Sequence, residues 1–383
     1  MENENPFSEF PFFGEFGNLF GGAGQDHWST AQQIAIQIAA GDNSDPNVDP
    51  SHRIALEELS RIAQLHVNNA TGLDVGNTSV QAITKREWAG NTLNDYKALF
   101  ENLTEALSPK DPDELSADPM NALFGQMMQF LGPMMLALTA GSMVGHLARR
   151  SFGQYDLPIP RGGENRIKVI TNNIDDFGKE WDLPVQELFL WVCLNELCHH
   201  AVLRIDHVQE RMLKLLFDYV GSFESNPSGL EEKIQQIDMN SPSALEDLQR
   251  SLGNPEVILG AIQSERQMQI IPELNAVTVV IVGYVDYIMD LIGTGLIGSY
   301  GKITEAMRRQ RVEADPSDRF IERMLGLELT QAQYDRGSAF IQGIVERSSS
   351  EELTRLWADR KNFPTPNEID APGLWLARID LPD

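Results

Sequence analysis

Helical periodicity runs through almost the whole chain after Trp28 and constrains the fold more than any other feature. Apolar residues recur three and four positions apart, and the periodic segments end at Gly, Asn or Pro signals. One such segment starts at Asp49–Pro50, and its apolar repeat is formed by Ile54, Leu59, Ile62, Leu65 and Val67. Another starts at Thr84, where Glu87 completes a capping box. Only one region, near Ile167–Ile170, is rich in β-branched residues. We predict a mostly α fold with at most a small β element.

The second half of the chain follows the same pattern. A single long helix is predicted from about Asp182 to Val220, and the segment "ELNAVTVVIVGYVDYIMDLIG" predicts a strongly apolar one. A charged amphipathic piece, Leu230–Leu252, lies between them. The Pro-rich C-terminal segment "NFPTPNEIDAPGLWLARIDLPD" is predicted to run extended along the body.

The domain organisation follows from composition. Residues 1–25 hold six phenylalanines without a helical or strand period, which predicts a flexible tail. Residues 26–383 are predicted to form one mostly helical domain, with a sub-boundary in the polar linker near 108–118. Residues 119–148 contain no Asp, Glu, Lys or Arg, a pattern that resembles a membrane span. Because Pro133 and several glycines interrupt this segment, we predict two short buried helices and no membrane span.

Charge and cysteine content limit partners and location. The chain has 56 acidic and 30 basic residues, a formal net charge of -26, which disfavours binding to nucleic acid or to anionic membrane surfaces. The expected partner is therefore an unidentified protein or peptide. Cys193 and Cys198 lie five positions apart, roughly 140° around a helix, so they are not expected to form a disulfide. Free thiols and an acidic N-terminus without a basic signal region predict a cytoplasmic protein.

The stretch "LWVCLNELCHHAVL", Leu190–Leu203, is one residue away from the His-Glu-x-x-His signature of zinc proteases. In that signature two histidines one helical turn apart bind zinc, and the glutamate removes a proton from the metal-bound water. Here Asn195 occupies the first histidine position, Glu196 the base position and His199 the second histidine position. Apolar residues surround this pair on almost every side of the helix: Leu188, Phe189, Trp191, Val192, Leu194, Leu197, Val202 and Ile205. A Glu and a His in such a helix must be paired, protonated or metal-bound, since an isolated buried charge is very costly. The alternative to a metal site is a hydrogen-bonded polar pocket in which Glu196 bridges to an Arg or a Tyr.

Several blocks along the chain resemble one bacterial family. They are "ARRSFGQYDLPIP", "LNELCHHAVL", "IVGYVDYIMD" and "QYDRGSAFIQGIV…LWADRKNFPTPNEIDAPGLWLARI". The family is that of zincin-like hydrolases, also described as zinc-dependent-metalloprotease-like or deazaflavin-coenzyme-biosynthesis-associated proteins. The resemblance covers nearly the whole chain after Trp28. It implies a multi-helix globular fold related to metallopeptidases, a zinc cofactor and hydrolase chemistry.

Transferred position by position, the resemblance implies a degenerate metal site. The family's His-Glu-x-x-His falls on Asn195, Glu196 and His199, and its downstream Glu-Gly-Tyr, whose glutamate is the third ligand, reads Val282-Gly283-Tyr284 here. Two of three ligands are thus replaced, one by a weak amide and one by an aliphatic group. Asp286, one helical turn after Val282, is a candidate substitute ligand, so a site of His199, Asn195 and Asp286 remains an alternative.

Two alternative functions are predicted from the retained Glu-x-x-His and the replaced ligands. The first is a non-catalytic or weakly active helical protein that keeps the fold. The second is an active metal-dependent hydrolase of peptide or amide bonds, with Glu196 as general base and His199 as metal ligand. Outside the motif, Trp191 is expected to be a packing anchor, and Arg149–Arg150 and Arg308–Arg309 are expected to be solvated helix ends.

Overall fold

The structure is a computed structural model that describes residues 27–41, 45–107, 137–162, 165–223, 264–313, 321–327 and 329–381. The predicted tail 1–25, the sub-boundary near 108–118 and the charged piece Leu230–Leu252 lie outside the described residues. The same holds for residues 119–136 of the apolar segment.

Helices dominate the described residues, which confirms the mostly α prediction. They are α1 (His27–Ala40), α2 (Pro50–Thr71), α3 (Lys85–Asp95), α4 (Lys97–Leu107), α5 (residues 137–150), α6 (Thr171–Glu180), α7 (Val185–Leu203), α8 (Asp206–Val220), α9 (Glu265–Leu296), α10 (Tyr300–Val312), α11 (Gln331–Arg347), α12 (Pro366–Ile369) and α13 (Pro372–Ile379). The predicted start signals are confirmed: Asp49 caps α2 through Ser51 N–H, and Thr84 and Glu87 form a capping box on α3.

The small β element is a parallel pair of five-residue strands. Strand β2, Arg166–Ile170, is the predicted one, and it pairs with β1, Ser79–Ile83. Strand β1 was not predicted. Its sequence, "SVQAI", has too little β-branched character to mark it, and it is stabilised as a strand by pairing with β2.

The predicted apolar face of α2 is wrong at three positions. Ile54, Ile62 and Leu65 are 63%, 42% and 60% exposed, respectively. The buried face is formed by Leu56, Ser60, Ala63, Val67 and Thr71. This helix packs closely against α7, and small side chains allow the close approach that bulky ones would prevent. Periodicity therefore located the helix but selected the wrong face.

The predicted single helix from Asp182 to Val220 is two helices. The chain turns at Arg204–Ile205, and the axes of α7 and α8 differ by 88°. No Gly or Pro marks this break, so the apolar pattern continues across it.

Helix α9 is the central element of the core. It packs against α7, α8 and α11, and it is long and apolar enough to cross a membrane. However, 78% of its most apolar window is buried inside the protein, as in the core helix of a globular domain.

The C-terminal segment is not extended, contrary to prediction. Two 3₁₀ helices, Ser350–Trp357 and Arg360–Asn362, lead into this segment, and the segment itself forms α12 and α13. Arg378 donates to both oxygens of Glu368, at 2.6 and 2.9 Å, and Trp375 is fully buried. These contacts connect residues distant enough in sequence that local propensity did not indicate them.

Candidate functional site

One cleft is lined by all five positions that the sequence analysis considered for a metal site. Asn195, Glu196 and His199 reach it from α7, and Val282 and Asp286 reach it from α9. Its remaining walls are the loop after α5, the last turns of α10, and residues of the segments 322–327 and 329–334. The cavity has a volume of about 180 Å³. The crossing of α7 and α9 therefore brings the two halves of the predicted site together.

Glu196 is held by the backbone of the loop opposite. Its Oε2 accepts the Gln154 N–H at 2.7 Å, and the Tyr155 N–H lies 3.1 and 3.3 Å from the two carboxylate oxygens. The residue is 1% exposed. Burial, together with the nearby charge of Asp156, raises the pKa of Glu196 to about 8, while the two N–H bonds oppose the shift. The sequence predicted an Arg or a Tyr side chain as the partner of Glu196. The partners are instead the backbone N–H groups of Tyr155 and Gln154.

The loop that binds Glu196 is itself fixed from outside. Trp88 Nε1–H donates to the carbonyl of Gly153 at 2.8 Å, and Arg161 donates to the carbonyl of Gln154 at 3.1 Å. A Cβ atom on Gly153 would lie 2.2 Å from the carboxyl carbon of Glu196, so only glycine allows the loop to approach this closely. The loop and the carboxylate therefore form one rigid unit.

His199 presents a free lone pair in the neutral state. Its Nδ1 lies 2.9 Å from the backbone carbonyl of Asn195. A carbonyl can only accept, so Nδ1 carries the proton and Nε2 is an acceptor. Burial lowers the pKa of His199 to about 4, which keeps the ring neutral near pH 7. Such an imidazole can bind a metal or accept a hydrogen bond.

His200, the next residue, has a structural role. Its Nε2 lies 3.2 Å from Thr78 Oγ1, and its Nδ1 lies 2.9 Å from the hydroxyl of Tyr155. Burial lowers the pKa of His200 to about 4. Because both ring nitrogens have protein partners, His200 connects α7 to the segment before β1 and to the loop that binds Glu196.

The donor set does not fit a three-ligand zinc site. Among the described residues, no group of three His, Cys, Asp or Glu side chains is placed to hold a metal ion. Both carboxylate oxygens of Glu196 face backbone N–H groups, and Asp286 Oδ2 lies 4.0 Å from the guanidinium of Arg311. Burial raises the pKa of Asp286 to about 6, and Arg311 opposes that shift. His199 alone offers a good zinc donor, with the Asn195 amide beside it.

Several cleft residues were missed or misread from the sequence. Arg150 was expected at a solvated helix end, but its side chain lines the cleft, 3.6 Å from Glu322. Trp191, expected as a packing anchor, packs on the core and also lines the cleft. Arg311 was missed, because a single Arg near a helix end carries no motif. Tyr155 lies in the Gly-Gln-Tyr-Asp block, and that block was the available signal for this loop.

A mostly helical fold with a Glu-x-x-His helix lining a cleft is consistent with a protein of the zincin-like class. The chain belongs to the zincin-like metallopeptidase family, whose model matches residues 27–376. This finding confirms the resemblance seen in the sequence.

A solved structure shares the fold. It is described as the "crystal structure of a putative hydrolase with a novel fold" from Chloroflexus aurantiacus, and it is 19% identical to this chain with a TM-score of 0.59. The similarity covers 93% of this chain and 99% of the other. No curated protein matches this chain.

The buried Glu196 carboxyl predicts a measurable pH effect on stability. Its folded-state pKa, about 8, lies above the unfolded value, so its stabilising contribution is complete below about pH 4.5 and is lost as pH rises through 8. In Glu196→Gln this contribution does not titrate. The free energy of unfolding of the wild type, minus that of the variant, should therefore fall between pH 5 and 8, by up to about 1.4 kcal/mol per pH unit.

Guanidinium chloride unfolding at pH 5, 6.5 and 8 measures this difference. Glu180→Gln is the control, because this glutamate lies at an exposed position at the end of α6 and not in the core. A pH-independent difference for Glu196→Gln would mean that the carboxyl titrates alike in both states.

Proposed function

We propose that this chain is a non-catalytic member of the zincin-like family, whose cleft binds a ligand without hydrolysing it. The observation that carries the proposal is the state of Glu196. The residue in the base position has both carboxylate oxygens engaged by the Gln154 and Tyr155 N–H groups.

A general base must reach the proton that it removes, directly or through one water. Glu196 is almost completely buried, and its oxygens already bind the loop. Freeing an oxygen for a water would leave a buried backbone N–H without a partner, which costs about 1–3 kcal/mol. Glu196 therefore acts best as the anchor of the 153–155 loop.

The metal donors favour the same proposal. One imidazole and one amide bind zinc weakly, because a zinc site needs several good donors in tetrahedral arrangement. Val282 contributes no donor atom, and Asp286 lies near Arg311, a cation that competes with a metal for its charge. A cleft that lacks the ligands for zinc and binds no metal is the simplest explanation of these donor groups. We also expect a cytoplasmic location, on the basis of the two free buried thiols, and a protein or peptide partner.

A second candidate is a metal-dependent hydrolase, and one observation favours it. The Nδ1–H of His199 is held by a carbonyl, which is the arrangement that orients metal-binding histidines. In this alternative His199, Asn195 and Asp286 would hold the metal, and Glu196 would be the base after release from the loop. The bound zinc would supply an activated water.

Elemental analysis of the full chain, purified from zinc-supplemented cells, separates the two candidates. We expect zinc far below one ion per chain, unchanged in His199→Ala and in the control His146→Ala, whose histidine is exposed on α5. Stoichiometric zinc that is lost in His199→Ala and kept in His146→Ala would overturn the non-catalytic proposal. Cleavage of an unselective peptide mixture that stops on zinc chelation would do the same.

A further inference from the structure

We infer that the cleft recognises a small ligand through a carboxylate group, and that Arg311 is the residue that binds it. This inference rests on the proposed function, since it names the class of ligand that the non-catalytic cleft would hold.

Arg311 enters the cleft from the last turn of α10 and is only partly engaged there. Its guanidinium lies over the ring of Tyr334, 4.1 Å from the centroid, which fixes the plane of the group. Asp286 Oδ2 lies 4.0 Å from Nη1, too far for a hydrogen bond. The Nε–H of Arg311 is buried and has no hydrogen-bond partner among the described residues. A buried donor of this kind is costly until an acceptor reaches it.

Two other arginines of the same chain show what the guanidinium edge formed by Nε and Nη2 binds. Arg336 donates to Asp370 through Nε and Nη2, each at 2.7 Å. Arg378 donates to Glu368 through the same two atoms, at 2.6 and 2.9 Å. In both, the edge that carries Nε receives one carboxylate. Arg311 meets Asp286 on the other side, at Nη1, so the edge with Nε is suited to a carboxylate supplied by a ligand.

The cleft offers a second donor and one acceptor. Trp191 Nε1–H is buried and has no partner within the part of the chain that the structure describes. His199 Nε2 is a neutral acceptor, as its Nδ1 contact with Asn195 requires. A ligand that satisfies all three groups carries a carboxylate, one further acceptor and one N–H donor. An N-acylated amino acid, or the C-terminal residue of a peptide, has this set.

The size and apolar walls agree with such a ligand. The cavity of about 180 Å³ is smaller than the roughly 300–1,000 Å³ of pockets for drug-sized molecules. Val282, Leu327 and Leu329 line it and can contact an aliphatic side chain. Val282 therefore provides apolar contact at the position where the family resemblance implies a glutamate.

Calorimetric titration with two matched probes tests the inference. N-acetyl-L-leucine carries the carboxylate, and N-acetyl-L-leucinamide is its neutral counterpart. In zinc-free buffer with EDTA, we expect the acid to bind the full chain about tenfold or more tightly than the amide, because a charge-assisted Arg–carboxylate pair is lost in the amide. Arg311→Gln should weaken binding of the acid by a similar factor, so that the acid and the amide bind with equal affinity. Arg311→Lys should recover only part of the preference for the acid over the amide, since an ammonium cannot form the two parallel hydrogen bonds that a planar guanidinium makes to a carboxylate.

Arg309→Gln is the matched control, because Arg309 lies on the same helix, is exposed and pairs with Glu305. It should bind the acid as the wild type does, and circular dichroism should show that both variants are folded. Equal binding of acid and amide, unchanged binding in Arg311→Gln, or no binding of either probe to zinc-free protein would overturn the carboxylate inference and leave the proposed function standing. Stoichiometric zinc, with acid binding that EDTA abolishes, would overturn the proposed function as well, because the metal would then be the carboxylate's partner.

Discussion

Gly283→Ala is expected to destabilise the fold by about 3 kcal/mol, although alanine is the better helix former. Gly283 lies where α9 crosses α11, and a Cβ atom there would sit 2.4 Å from the carbonyl carbon of Gly337 and 2.7 Å from its Cα. These are backbone atoms, which cannot turn aside as a flexible side chain can. The helices must separate, and the apolar contacts of the central helix along this crossing are weakened.

The matched control is Gly295→Ala on the same helix. No described atom lies within 4 Å of a Cβ at this exposed position, so alanine should stabilise the protein by up to about 1 kcal/mol. Urea unfolding of both variants, followed by circular dichroism, measures the two changes. Equal effects at positions 283 and 295 would show that the helix crossing tolerates a methyl group and that the close approach has little energetic weight.

Introducing the donors that the family resemblance implies at positions 195 and 282 should create a zinc site. The double variant Asn195→His, Val282→Glu adds an imidazole one turn from His199 and a carboxylate from α9, and all three positions line the same cleft. Zinc affinity should rise on the order of 1,000-fold over the wild type, because the ion gains two strong donors in place of an amide and a methyl group. Calorimetric titration with zinc measures the gain.

The double variant also has a clear stability signature. Without metal, the buried Glu at position 282 should lower the free energy of unfolding, since an uncompensated carboxyl is costly in an apolar site. Zinc should recover that loss, because it binds only the folded state. Asn195→His, Val282→Gln is the control, because its third donor is a neutral amide and not a carboxylate. If the double variant binds zinc no better than this control, the two helices do not direct these side chains to a common point, and the proposal of a metal site that has lost its ligands is wrong.

The candidate site shows how far sequence reasoning reached. Helical spacing and the family motif placed Asn195, Glu196 and His199 on one helix, and the downstream block supplied Val282 and Asp286. All five line one cleft. The partner of Glu196 could not be predicted, because it consists of backbone N–H groups about forty residues away. Backbone donors leave no signature in residue type. Whether Glu196, His199, Asn195 and Asp286 act in catalysis or metal binding stays a prediction, and the experiments above address it.

Local chemistry decided where helices α2, α3 and α9 begin. The caps at Asp49, Thr84 and Ser264 involve residues two or three positions apart, so the sequence contains everything that forms them. The dominance of helical periods likewise determined the fold class. Which face of a helix is buried is a different matter, because it depends on the size of the residues on the partner. In α2, close packing against α7 selected the face with small side chains and left Ile54 and Leu65 in water.

The tertiary structure alone decided the contacts between distant segments. The bend between α7 and α8, the pairing of β1 with β2 and the clamp of Arg378 on Glu368 each depend on surfaces that meet only after the chain has folded. The same holds for Arg311, whose placement beside Tyr334 and Asp286 gives an otherwise unremarked residue a role in the cleft. Periodicity and capping are short-range and can be read along the chain. Burial and donor pairing are long-range, and they are settled by which elements pack together.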